Sequence, residues 1–195
     1  MKLSKVNKKF SIDKASILSK ALPFMQRYAG KNITIKFGGS AMGEKNFLHC
    51  FAKDVVLLKQ VGINPIVVHG GGPKIKEMLD KLGVKTDFIN GLRVTDKETI
   101  NIVEMILSGS INKEIVMEIN KEGGMAIGLS GKDGLLAKTK KIKLGASKKL
   151  KDLGFVGEPV NINKDLLYWF LESHFIPVIS PIGFDKKFDS FNVNA

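Results

Sequence analysis

The chain has 195 residues, of which 31 are Lys or Arg and 19 are Asp or Glu, a formal net charge of +12, and 44% are hydrophobic. That apolar share excludes a disordered basic tail, and the length suffices for one substantial core or two small ones. No run approaches the roughly 18 apolar residues of a membrane helix, the opening MKLSKVNKKFSIDK lacks the apolar run of a signal peptide, and the single Cys50 excludes an intramolecular disulfide and a cysteine zinc site.

The expectation is a soluble, cytoplasmic protein with no membrane partner. His49, His69 and His174 lie far apart with no ligand spacing, so no metal site is expected.

Residues 11–29 place Ile12, Ala15, Ile17, Leu18, Ala21, Leu22 and Met25 at helical spacing, with Pro23 expected to bend or interrupt the helix and Gly30 to end it. NITIKF at 32–37 predicts a buried strand that stops at Gly38-Gly39. An amphipathic helix follows over 44–61. NPIVVH at 64–69 is a second apolar strand, running into Gly70-Gly71-Gly72, and a helix begins at Pro73 and extends to Leu82.

Strand, glycine loop and helix, twice over, predict a parallel sheet with helices on its faces and ligands at the carboxyl ends of the strands. Residues 84–95 read as a hairpin turning at Asn90-Gly91. Residues 96–122 carry helical patterning broken around Ser108-Gly109-Ser110, and MAIGLS at 125–130 returns to strand. Short strands joined by Gly145 and Gly154 fill 138–156, a helix spans 163–174, and IPVIS at 176–180 is a strand. With no repeat and no linker, the pattern is one continuous α/β unit.

The lysines at 138, 140, 141, 143, 148, 149 and 151 are dense enough to track phosphates. Few aromatic residues lie among them, and Ile142, Leu144 and Leu150 give the segment the look of strands with a solvated lysine face, so no nucleic-acid partner is expected.

The two glycine loops share one logic. Residues without side chains between a strand and a helix expose backbone N–H groups beside the positive end of a helix dipole, which suits an anion. Each loop alone also reads as a plain turn; two at adjacent strand ends favour a divided anion site. Neither fits a Walker A or a G-x-G-x-x-G pattern.

Lys36 stands in the first strand, two residues before its glycines, on the opposite alternation from Ile33 and Ile35. Either the strand is an edge with Lys36 in solvent, or the ammonium neutralises phosphoryl oxygens. Arg93, after the Asn-Gly turn, is either exposed or positioned to grip a carboxylate bidentately, and spacing leaves both open. Gly131-Lys132-Asp133-Gly134 reads as a tight turn.

Six segments taken together resemble the amino acid kinases, and within them the acetylglutamate kinase branch. They are IKFGGSAM (35–42), VVHGGGP (67–73), NGLRVTD (90–96), GLSGKDG (128–134), DLGFVGEP (152–159) and FNVNA (191–195). The first two belong to the superfamily, whereas NGLRVTD and DLGFVGEP are more specific to that branch.

The resemblance implies an α/β fold, a three-layer αβα sandwich with a mainly parallel central sheet, and transfer of the γ-phosphate of ATP, with Mg²⁺, to the γ-carboxylate of N-acetyl-L-glutamate in arginine biosynthesis. By motif position it makes Lys36, Gly39 and Gly71 catalytic, and gives Lys36, Gly38 and Gly39 to the nucleotide phosphates. Gly71, Gly72, Arg93 and Asn192 fall to the acyl amino acid. It also implies a homo-oligomer, a dimer or hexamer, with residues 1–30 as a helical extension of the kind found in arginine-inhibited hexamers.

In the family, NVNA continues into an Asp, a second lysine and most of the nucleotide site, and here the chain stops at Ala195. Residues 31–195 are therefore expected to be the acyl-amino-acid-binding part of a longer kinase whose carboxyl-terminal nucleotide half is missing. The alternatives are a non-catalytic small-carboxylate-binding module, or a kinase for a related acyl amino acid such as aminoadipate.

Overall fold

A computed structural model describes residues 5–38, 45–142 and 152–195, with the side chains of residues 5–12 and Lys45 outside that description. The chain opens on α1 (Lys5–Tyr28), which passes through Pro23 without interruption. Proline removes one backbone donor and crowds the preceding turn, yet the helix continues for five residues beyond it. Gly30, at φ +73°, then turns the chain, and its N–H donates to the Gly62 carbonyl at 2.7 Å.

Strand β1 (Asn32–Phe37), α2 (Lys45–Gln60), β2 (Asn64–His69) and α3 (Gly72–Lys81) follow in the predicted order. The hairpin is shorter than expected, with β3 (Phe88–Ile89) and β4 (Leu92–Arg93) of two residues each. Its turn has positive φ at both Asn90 (51°) and Gly91 (78°), as a tight hairpin turn of matching twist requires.

Between α4 (Lys97–Glu104) and α5 (Asn112–Lys121), where a break was expected at Ser108–Ser110, the chain stays helical as a π-helical segment, Met105–Ile111. Asp96 caps α4 by accepting the Thr99 N–H at 2.8 Å. Then come β5 (Ala126–Ser130), a 3₁₀ turn (Asp133–Leu135), β6 (Ala137–Lys141), β7 (Val156–Ile162), α6 (Lys164–Glu172) and β8 (Ile176–Ser180). Two strands not anticipated close the chain, β9 (Ile182–Phe184) and β10 (Ser190–Val193).

The central sheet runs β1-β2-β8-β5 and is parallel throughout. Strand alternation divides its side chains between two layers. Ile35, Val67, Val178 and Ala126 join the larger core with Ala52 and Val55 of α2 and Ile115 and Ile119 of α5. Ile127, Leu129 and Ile179 face the other way, onto Leu166, Leu167 and Phe170 of α6. These are the three layers of the expected sandwich. A small closed barrel, β10-β7-β6-β9, stands beside it and carries β10 to the carboxyl end of the sheet.

Part of the lysine-rich segment, residues 143–151 with Lys143, Leu144, Lys148, Lys149, Leu150 and Lys151, lies outside the described residues. Of its described lysines, Lys140 pairs with Glu158 (3.0 Å) and Lys141 with Asp152 (2.7 Å). No helix among the described residues is long and apolar enough to cross a membrane.

Candidate active site

At the carboxyl ends of β1 and β2 lies a cleft of about 280 Å³ that Lys36, Gly38, Gly71, Gly72, Arg93 and Asn192 all line. Gly39 and Ser40 lie outside the described residues. Lys36 and Asn192, 156 positions apart in the chain, thus share one concavity, because the parallel sheet brings the ends of β1 and β2 to one edge and the hairpin and the barrel strand β10 close over it.

The two glycine turns are joined directly. The Gly70 N–H donates to the Phe37 carbonyl at 2.8 Å, and a Cβ on Gly38 would lie 3.7 Å from the Gly70 nitrogen. No side chain caps the first turn of α3, and Pro73 stands in it. Its first turn, at the cleft, thus carries N–H groups that no side chain caps.

Lys36 pairs in register with Val68. In the described sheet β1 is an edge strand and Lys36 is exposed, yet its side chain lines the cleft and its ammonium donates to the Ala195 carbonyl. The edge-strand reading of this lysine thus holds, and its side chain also reaches the cleft.

Arg93 is the opposite case, a charged residue only 7% exposed. Its Nη1 donates to Thr86 Oγ1 at 2.7 Å, its Nη2 approaches the Gly72 carbonyl at 3.4 Å, and its guanidinium carbon sits 4.6 Å from the Phe88 ring centre. Desolvation lowers its pKa and the nearby Asp80 charge raises it, leaving a cation whose loss of water makes an anionic partner valuable.

Asn192 is fixed by the barrel. It stands opposite Val156 of β7 and Ile182 of β9, and its N–H donates to the Phe155 carbonyl at 2.9 Å. Lys132 and Asp133 take no place in the cleft lining. Asp133 accepts from the Ser130 N–H (2.6 Å) and hydroxyl (2.8 Å), and Lys132 reaches Glu104 (2.8 Å) and the Ser190 hydroxyl (3.1 Å), so the tight-turn reading accounts for them.

Sequence reasoning passed over His69 and Asn112, both wholly buried behind the second glycine turn. A signal existed for His69. It shares the inward alternation of Pro65 and Val67 in β2, which puts an imidazole on the core face.

The lining side chains of the cleft include no carboxylate among the described residues. With Lys36 and Arg93 as their charged members, they do not fit a divalent cation such as Mg²⁺, which proteins hold through carboxylates.

Residues 31–195 match the profile of the amino acid kinase family. Acetylglutamate kinase of Rhodospirillum rubrum is 54% identical over 190 residues, which cover 94% of this chain and 61% of that protein. The acetylglutamate kinase of Parvibaculum lavamentivorans is 52% identical over 190 residues, 94% of this chain and 62% of that protein. The chain thus spans a little over three fifths of the length of these curated relatives.

Among solved structures, N-acetylglutamate synthase from Neisseria gonorrhoeae superposes with a TM-score of 0.78 at 19% identity, over 92% of this chain and 40% of that one. A Streptococcus mutans structure gives 0.72 at 28% identity, over 84% and 64%. The first of these likenesses establishes the fold alone.

Proposed function

The chain belongs to the amino acid kinase family, and we propose from that premise that its cleft binds N-acetyl-L-glutamate and presents the γ-carboxylate to ATP, as part of an acetylglutamate kinase of arginine biosynthesis. The observation that carries this reading is the convergence of a desolvated arginine, two glycine turns and a lysine on one cleft. The percentage identity to the relatives supports the choice of acyl amino acid.

In the reaction, a carboxylate oxygen of the substrate attacks the γ-phosphorus of ATP. A new O–P bond forms, the bond to the β-phosphate bridge oxygen breaks with its electron pair, and ADP leaves with an acyl phosphate as the other product. A carboxylate is already ionised at neutral pH, so no general base is needed. The demands are alignment and neutralisation of charge on the transferring oxygens.

Lys36 meets the second demand with an exposed point charge, together with the N–H groups of Gly71 and, in this proposal, Gly38 and Gly39. Arg93 meets the first by gripping the α-carboxylate, with Gly72 and Asn192 completing the pocket. ATP is the phosphoryl donor in this proposal, and any Mg²⁺ it brings falls to ligands other than the described lining.

Residues 31–195 are taken as the acyl-amino-acid-binding part, and residues 1–30 as an extension for assembly into a dimer or hexamer and for any arginine effect. Ile17, Leu18, Leu22 and Phe24 of α1 are each at least half exposed, an apolar surface of the sort that a second protein surface covers. The side chain of Ile12 lies outside the described residues.

Trapping the acyl phosphate with hydroxylamine tests the activity. A form extended to the relatives' full length is expected to give hydroxamate that depends on both ATP and N-acetyl-L-glutamate. Hydroxamate from another acyl amino acid in its place contradicts the substrate assignment.

A further inference from the structure

A buried polar chain runs behind the second glycine turn. His69 and Asn112 are both fully buried, 43 residues apart in sequence, with Asn112 Nδ2 at 3.2 Å from His69 Nε2. The same Nδ2 lies 2.9 Å from the Val178 carbonyl, and Lys113 Nζ lies 3.3 Å from Asn112 Oδ1. On its other side, His69 Nδ1 is 2.9 Å from the Gly70 carbonyl.

These contacts define the proton on the ring. Asn112 cannot turn its Oδ1 toward the Val178 carbonyl without setting two acceptors against each other, so the amide nitrogen faces both neighbours and His69 Nε2 accepts. The ring's one proton is then on Nδ1, which donates to Gly70. Burial pushes the His69 pKa down while its bond to Gly70 works against this, and the net direction is downward, toward a neutral ring.

The direction of that bond matters because of the peptide that carries it. The Gly70 carbonyl and the Gly71 N–H belong to one trans peptide unit and point in opposite directions. A carbonyl drawn inward by His69 sends the Gly71 N–H outward, toward the cleft. The π-helical segment supports the same arrangement from behind: a Cβ on Gly71 would meet Leu107 at 2.6 Å and Ile111 at 2.7 Å.

We propose that His69, as a neutral imidazole protonated on Nδ1 and held in that tautomer by Asn112, is a positioning residue that aims the Gly71 N–H at the anion in the cleft. The anion's identity, the acyl amino acid or the phosphoryl group passed to it, rests on the function proposed above. The tautomer and the orientation of the peptide do not.

The experiment uses the 195-residue chain labelled with ¹⁵N. Long-range ¹H–¹⁵N spectra at pH 7 are expected to show His69 protonated on Nδ1 and bare on Nε2; the other tautomer, or an imidazolium, overturns the proposal. His69→Asn keeps an N–H donor near the Nδ1 position, whereas His69→Leu removes it. The Gly71 amide resonance should stay near its wild-type position in the first and move in the second, and calorimetric titration with N-acetyl-L-glutamate should show a loss within about threefold for Asn and of about tenfold or more for Leu.

Equal losses in the two variants, or an unmoved Gly71 amide in a folded His69→Leu, overturn the positioning role. If the wild type binds no N-acetyl-L-glutamate, the proposed function fails, and the tautomer with the Gly71 resonance still decides this inference. If His69→Leu does not fold, the wild-type tautomer and the His69→Asn resonance decide it.

Discussion

The Arg93 guanidinium lies 3.4 Å from the Gly72 carbonyl, so the hairpin and the glycine turn before α3 meet at a single charged group. That contact and the bond to Thr86 occupy two of the five N–H donors of the guanidinium. In the proposed site the rest of the fork would hold a planar carboxylate, which a flexible ammonium grips less well.

The close approach at Gly71 predicts a stability effect. Gly71→Ala places a methyl group within 2.7 Å of the Leu107 and Ile111 side chains, and overpacking of this kind costs about 1–3 kcal/mol. Denaturant titration should show a lower midpoint with an unchanged slope. Shortening Ile111 to Val in the same chain is expected to recover part of the loss; no recovery indicates that the crowding lies elsewhere.

Lys36→Ala, in a form extended to the relatives' length, is expected to lower turnover by a far larger factor than it raises the Michaelis constant for N-acetyl-L-glutamate. A point charge matters most as phosphoryl charge redistributes in the transition state. Steady-state kinetics on the two proteins check this, and a change confined to the Michaelis constant makes Lys36 a binding residue only.

Asp96 gives a pH-dependent prediction. The Thr99 backbone N–H, followed by its hydroxyl, holds the Asp96 carboxyl below the ordinary aspartate pKa. A depressed pKa means that the cap's contribution is complete above the unfolded-state value of about 4 and is lost as pH falls through the folded one. Asp96→Ala should therefore cost about 1 kcal/mol at pH 7, and less as the pH drops below about 4. Unfolding curves at the two extremes measure it; a difference that grows toward acid contradicts the cap.

How much of this was legible in the sequence differs by element. The strands β1, β2 and β8 lie where NITIKF, NPIVVH and IPVIS predict, because a short apolar β-branched run bounded by turns has few other uses. The strand–glycine–helix order likewise located the cleft. The π-helical segment was not legible: Ser108, Gly109 and Ser110 read locally as a break, and what keeps them helical is tertiary, the Ser108–Ser180 hydroxyl contact at 2.8 Å being one part. Strands β9 and β10 escaped for a similar reason, since their pairing is with one another and with β6 and β7, not with a pattern of their own.

Deleting residues 1–29 from a form extended to the relatives' length should yield a smaller assembly that remains folded. The half-exposed Ile17, Leu18, Leu22 and Phe24 otherwise leave an apolar face in water. Sedimentation velocity of the two forms decides it: an unchanged size means that α1 does not serve assembly.

The most direct test of the cleft as an acyl-amino-acid site is calorimetric titration of N-acetyl-L-glutamate into the 195-residue chain and its Arg93→Lys variant at neutral pH. The wild type is expected to bind saturably with one ligand per chain. The variant should bind roughly tenfold to a hundredfold more weakly, because the loss of one charge-assisted hydrogen bond to a desolvated carboxylate costs about 1–3 kcal/mol. Equal dissociation constants place Arg93 outside the pocket, and no heat from the wild type contradicts the site itself.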